Sequence, residues 1–180
     1  MDELDLNRAF TLIEPGPVVL VTTHDGARDN VMTITWTMVL GFSAELAITT
    51  GPWNHSYAAL RDTKECVLSI PTVDLIDTAV GIGVCSGADT DKFEKFGLTR
   101  VKASHVRAPL IAECLANIEC RVVDFADRHS IVILQGVAAW FDSTRKERRT
   151  IHAVGDGTFI VDGDTIDRRE MMRSKLPPGI

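Results

Sequence analysis

The sequence predicts a mainly β fold: an antiparallel barrel of about six or more strands, with short helices inserted at its ends. Three observations carry this expectation. Apolar runs rich in β-branched residues recur at 18–23, 30–38, 46–50, 66–70, 118–122 and 131–141. Several of the gaps between them are only turn-length, so hairpins outnumber β-α-β units. The helical patterns are few and short, which disfavours a doubly wound parallel sheet.

Val18 to Thr23 is a continuous apolar run that ends in His24-Asp25-Gly26, a turn signal. Asn30 to Met38 follows at once as the second strand of a hairpin. Its odd positions carry Thr33, Thr35 and Thr37, and its even ones Met32, Ile34, Trp36 and Met38. Alternate side chains on a strand face opposite ways, so one face is large and apolar and the other a ladder of hydroxyls. That pattern suits an ordinary half-buried strand, and equally the wall of a site for a flat, partly polar ligand. Leu46 to Thr50 is a third strand, stopped by Gly51-Pro52.

Residues 56–64 read as a short helix, with Asn54 or Ser56 at its N-cap. A strand returns over 66–70. Thr72 opens a second helix, whose apolar residues Val73, Ile76, Ala79, Val80 and Val84 recur at helical spacing. A third helical turn runs from Asp91 to Phe96 and closes at Gly97. Ile118 to Val122 alternates apolar and charged residues, and Ile131 to Phe141 is long and β-branched, with a loop near Ala126 to His129 joining them into a hairpin. Thr158 to Val161 adds a last strand.

With 180 residues and 45% hydrophobic composition, the chain is long enough for one core and short for two. We therefore expect a single domain over 1–180, with its core at about 15–160 and residues 161–180 as a C-terminal arm and candidate dimer contact. A formal charge of −6 argues against a nucleic-acid partner, which would require a basic footprint. Met1-Asp2-Glu3 opens no signal peptide, and no apolar run approaches the ~18 residues of a membrane span. A cytoplasmic location without membrane association is the corresponding expectation. Cys66, Cys85, Cys114 and Cys120 form no C-x-x-C pair and no metal-like cluster, so they read as reduced, with only Cys85 near a site.

Gly81-Ile82-Gly83-Val84-Cys85-Ser86-Gly87 imitates a dinucleotide fingerprint but places Ser86 where the third glycine belongs. It also ends a helix where the fingerprint must start one. Pro52-Trp53-Asn54-His55-Ser56-Tyr57 is a better candidate, because a helix start offers free N–H groups and a favourable dipole to an anion. A plain helix cap is chemically the same device. Lys92 stands at a loop–helix junction, either solvated or facing a phosphate. His129 lies in a hairpin loop, and Phe159 follows a glycine turn as core or as cover for a ligand ring. The basic run 145–149 reads as a solvated helix face. No catalytic constellation and no metal site emerges, which suits a protein whose organic cofactor performs the chemistry.

Four segments in order resemble the flavin reductase-like, FMN-binding split β-barrel family, including its flavoredoxin type. They are 15–23 with 30–36, then 52–57, then Ser86-Gly87 with Asp91-Lys92-Phe93 through Leu98, and 108–116 leading into Ile118-Glu119-Cys120. The resemblance implies FMN, with FAD or riboflavin less favoured, bound near the interface of a homodimer. Asn30, Met32 and Thr33, Ile34, Thr35 and Trp36 would line the isoalloxazine. His55 and Ser56 would take the phosphate end, Lys92 would add positive charge to the flavin or its tail, Tyr57, Ser86 and Gly87 would belong to the same cofactor-binding set, and His129 and Phe159 would complete the pocket, with the partner subunit as one source of them.

The activity implied is hydride transfer from NADH or NADPH, as a transient co-substrate, to flavin. A flavin-dependent monooxygenase or an electron-transfer protein would be the downstream partner. Two rivals stand beside it: a non-enzymatic FMN electron carrier reduced by a protein partner, and a barrel for a non-flavin ligand.

Overall fold

The computed structural model describes residues 16–175. The opening Met1-Asp2-Glu3, Pro15 and the last five residues of the expected arm lie outside the described residues. The strands are β1 (Val19–His24), β2 (Asp29–Ile34), β3 (Thr37–Gly41), β4 (Glu45–Thr49), β5 (Glu65–Ile70), β6 (Arg100–Val101), β7 (Leu110–Ile111), β8 (Ala116–Ala126), β9 (Ile131–Phe141), β10 (Ile151–Ala153) and β11 (Phe159–Val161). Helices α1 (Ser56–Thr63), α2 (Ile76–Gly83), α3 (Lys92–Lys95) and α4 (Arg169–Met172) are short.

Seven strands form one antiparallel sheet in the order β2-β1-β5-β8-β9-β4-β3. β2 and β3 therefore sit at opposite edges, yet only Thr35 and Trp36 separate them in the chain. The three residue steps from Ile34 to Thr37 span at most about 11 Å, so the sheet must curl until its edges meet. The Thr49 N–H donates to the Trp36 carbonyl at 3.0 Å beside this crossing. The result is a split barrel, mainly β, as the hairpin-rich sequence predicts.

The expected strand over 30–38 is thus two strands. The alternation holds through Ile34, with Met32 and Ile34 buried, while Thr33 on the other face donates to the Ala79 carbonyl of α2 at 2.6 Å. Past the crossing the apolar series leaves the interior, and Trp36 and Met38 are 55% and 52% exposed. A period-2 pattern cannot reveal that the chain changes edge midway.

β1 is buried on both faces, which explains its unbroken apolar run. Val19 and Val21 join Met32, Leu60, Cys66, Cys120 and Leu134 in one core, and Val18 and Leu20 join Ala79, Ile82, Phe93 and Ile151 in another. The first core includes α1, and the second lies under α2 and α3. Gly26, at φ +102°, turns β1 into β2, and Asp25 accepts from the N–H groups of Ala27 and Arg28.

The expected second helix begins as a single 3-10 turn over Val73–Leu75, and Val84 falls beyond its end, 81% exposed. The run 145–149 forms no helix, contrary to expectation. Arg145 instead turns inward and bonds Thr72 and Asp74, while Arg149 pairs with Glu147. The loop between β6 and β7 is pinned by buried Glu119, which accepts from Ser104, Val106 and the Trp140 indole.

All four cysteines are free. Burial pushes the Cys114 thiol up to about 12. Cys66 is raised by its hydrogen bond to Cys120, which faces it across β5 and β8, and by burial. No helix among the described residues is long and apolar enough to cross a membrane.

Candidate functional site

Two adjoining cavities open where β2, the start of α1 and the α2–α3 junction converge. The first, about 240 Å³, is lined by Asn30, Met32 and Thr33 from β2, by 53–56 ahead of and at the start of α1, and by Ile82 to Gly87 with Lys92. The second, about 370 Å³, shares Asn30, His55, Ser56 and Gly87 with it and extends over the β1–β2 turn.

Ser56 is the hub. Its side chain is buried, and its hydroxyl oxygen accepts from Asn30 Nδ2 at 2.8 Å and from Thr23 Oγ1 at 3.2 Å. The Asn30 amide nitrogen can only donate, so it fixes Ser56 as its acceptor, while the Thr23–Ser56 hydroxyl pair can bond in either direction and leaves the Ser56 proton available when Thr23 donates. Ser56 is the first residue of α1, and the cap position is His55, whose side chain makes no cap bond. The expectation of Asn54 or Ser56 as N-cap is therefore corrected. Asn54 bonds Thr50 Oγ1 instead, at 3.0 Å. The first turn of α1 carries no acidic residue, so nothing on the helix itself offsets its positive end.

Lys92 is 5% exposed. Its ammonium donates to the Ile82 carbonyl at 2.8 Å, near the C-terminal end of α2, where the helix dipole favours a cation. Burial lowers its pKa, and the nearby Cys85 opposes that shift. The solvated alternative for this lysine does not hold. Asp91 caps α3 by accepting from Glu94 N, which fixes where Lys92 leaves the backbone.

Gly87 presses against the Asn30 side-chain amide: a Cβ there would stand 2.2 Å from Asn30 Oδ1. Glycine is required by that approach, and the apparent dinucleotide fingerprint contributes cavity wall at a helix end, not a phosphate loop at a helix start.

Of the residues singled out from sequence, Asn30, Met32, Thr33, His55, Ser56, Ser86, Gly87 and Lys92 meet in the first cavity. Six others lie outside both cavities in the single chain. Ile34 is in the barrel core. Thr35 and Trp36 form the edge crossing. Tyr57 turns away to Phe125 and Asp127. His129 is exposed beyond β8, and Phe159 packs on the outer core beside α2. Thr23 and Ile82 are not site candidates by sequence, and Trp53 enters only as part of the segment 52–57. Trp53 is 65% exposed at the cavity wall, and its place right after Gly51-Pro52 was the available signal. Among the described residues, no group of three or more His, Cys, Asp or Glu is placed to hold a metal.

Residues 13–157 match the model of the flavin reductase-like domain. The chain belongs to the flavin reductase-like family. A protein of Archaeoglobus fulgidus described as uncharacterized is 38% identical over 97 residues, 53% of this chain and 55% of that relative. The match thus spans about half the length of that relative. Among solved folds of the family type, the flavoredoxin of Desulfovibrio vulgaris superposes with a TM-score of 0.79 at 23% identity, covering 86% of this chain and 90% of its own. A flavoredoxin from Methanosarcina acetivorans gives 0.80 at 18% identity, covering 98% and 100%. At these identities the superpositions establish the split-barrel fold, and the family membership rests on the domain match.

Proposed function

We propose that this member of the flavin reductase-like family binds FMN in the first cavity and reduces it with NADH or NADPH. The observation that carries the reading is the Ser56 hydroxyl: buried, accepting from Asn30, paired with Thr23, and able to donate its own proton to a ligand at the start of a helix free of acidic residues in its first turn. An anionic phosphate satisfies that donor and the α1 N–H groups together. His55, on the same turn, adds ring nitrogens. Lys92 brings positive charge to the opposite wall, and the alternating β2 face offers Asn30, Met32 and Thr33 to a flat heteroaromatic ring.

FMN, when bound, supplies a ring that accepts hydride. The chain's own share is orientation and charge: β2 holds the ring against a rigid sheet, and Lys92 favours negative charge developing nearby. No protein nucleophile is required. The product would pass electrons to a partner monooxygenase or electron-transfer protein.

A homodimer is part of the same reading. β3 is an edge strand, and the β3–β4 hairpin exposes Val39 and Phe42 at 72% and 83%, apolar surface that an edge in water normally avoids. A partner subunit supplies what the six residues outside the cavities do not.

The test is the visible spectrum of purified protein with added FMN, before and after anaerobic NADH or NADPH. Binding with bleaching of the flavin band supports the reading, and continued turnover of free FMN distinguishes a reductase from a carrier that keeps its flavin. Absence of any spectral change on FMN addition removes it.

A further inference from the structure

The first cavity takes part of its wall from two separate elements: Met32 on β2, and the turn over 51–54 that leads into α1. Thr50 stands between them. It follows β4, is fully buried, and lines neither cavity itself. Its backbone N–H donates to the Ser130 carbonyl at 2.9 Å, so the connection between β8 and β9 holds the main chain there independently of the side chain.

The Thr50 hydroxyl is used in both senses. Its oxygen accepts from Asn54 Nδ2 at 3.0 Å, which leaves its one proton for the Met32 Sδ at 3.9 Å, within reach of a weak O–H···S bond. Methionine has three rotatable bonds and fills space adaptably, so packing alone specifies the sulfur poorly. The hydroxyl gives that sulfur a fixed partner. On the other side, the Asn54 backbone N–H donates to the Gly51 carbonyl at 2.9 Å and closes the turn. The Trp53 ring folds back over Gly51, where a Cβ would stand 2.3 Å from it. The Asn54 side chain thus ties this turn, with the Trp53 indole at the cavity wall, to the end of β4.

We propose that Thr50 is a positioning residue of the flavin site, its buried hydroxyl setting Met32 and the 51–54 turn against one another. The inference rests on the flavin reading of the first cavity. A planar ring lying against β2 meets the Met32 thioether, and a sulfur–aromatic contact depends on where the sulfur sits. Loss of the hydroxyl releases the sulfur and the turn together, although no residue in contact with the flavin has been replaced. Thr50→Val keeps the branched shape and removes the hydroxyl, whereas Thr50→Ser keeps the hydroxyl and removes the methyl group.

Fluorescence titration with FMN and the visible spectrum of the bound flavin, in wild type, Thr50→Val, Thr50→Ser and Asn54→Ala, test it. Loss of one such hydrogen bond corresponds to about a tenfold change. Thr50→Val should bind FMN about tenfold more weakly and shift the bound-flavin band, while Thr50→Ser keeps wild-type affinity and spectrum. Asn54→Ala, which releases only the turn, should weaken FMN in the same direction, and Thr50→Val added to it should cost less than Thr50→Val alone. Wild-type affinity and band in Thr50→Val overturn the inference. Equal weakening in Thr50→Val and Thr50→Ser overturns it as well, because the methyl group is then the cause. Should Thr50→Val fail to fold, Asn54→Ala decides: weaker FMN binding with a shifted band supports the inference, and wild-type binding overturns it. Failure of wild type to bind FMN instead overturns the flavin reading itself, and this one with it.

Discussion

Asn30 and Gly87 are locked in contact: the Asn30 amide occupies the space a side chain at position 87 would need, with 2.2 Å between its Oδ1 and a Cβ built there. Because the same amide donates to Ser56, the glycine indirectly sets the hydroxyl at the cavity junction. Gly87→Ala must move Asn30 and break that bond. We expect a cost of about 1–3 kcal/mol, taken mainly from flavin binding. Weakened FMN titration with an unchanged far-UV circular dichroism spectrum is the expected pair of results.

Ser56→Ala removes the shared acceptor and leaves Thr23 Oγ1 and Asn30 Nδ2 without it. Unmet buried donors cost about 1–3 kcal/mol, so the variant melts lower even without ligand. Flavin adds a second loss, because the donor to its phosphate has gone. Riboflavin, which lacks the phosphate, should lose much less affinity than FMN in this variant. Parallel titrations of the two ligands measure the difference.

Glu119 gives a pH signature. Burial pushes its carboxyl up, but the Ser104 N–H, the Trp140 indole and the N–H groups of His105 and Val106 outweigh this and hold it below the ordinary 4.5. A group whose pKa is lower folded than unfolded stabilises the fold above its unfolded value, and that support is lost as pH falls through the folded one. Urea midpoints should therefore drop as the solution is acidified below about 4.5. Glu119→Ala should cost about 3 kcal/mol at neutral pH and flatten that acid limb.

Phe42→Glu places a charge on the apolar tip of the β3–β4 hairpin, where 83% exposure in one chain leaves the monomer fold untouched. Sedimentation should show the variant shifted toward monomer at micromolar concentration. A wild type that is already monomeric would remove the dimer from the proposal.

Most of the barrel was legible because its strands are local patterns. β1, β5 and β9 announce themselves by β-branched runs, and the turns at Gly26 and around Asp127–Ser130 by their residue types. The break at Thr35–Trp36 was not legible, since alternation continues across it while the partners change from β1 to β4. β10 is three residues long and gains its definition from pairing with β11. Arg145 looked like surface charge because no sequence rule connects it to Thr72 and Asp74, more than seventy positions away. At the site, Asn30, Ser56, Gly87 and Lys92 could be nominated one by one. That Ser56 is an acceptor for two neighbours, and that Lys92 is buried on a helix end, are properties of the fold alone.

The strand order also sets a timetable for biosynthesis. β8 and β9, which occupy the middle of the sheet, are made after every other strand of it. Until β8 has left the ribosome β5 has nothing on its β8 side, and until β9 has left it β4 has nothing on its β9 side. The emerging hairpins β1–β2 and β3–β4, tethered at Thr35 and Trp36, thus wait with open flanks, and the late hairpin arrives as the keystone that closes the sheet between them. Chaperone dependence of a nascent chain truncated before position 116, set against one extended past 141, would be the cellular trace of that sequence of events.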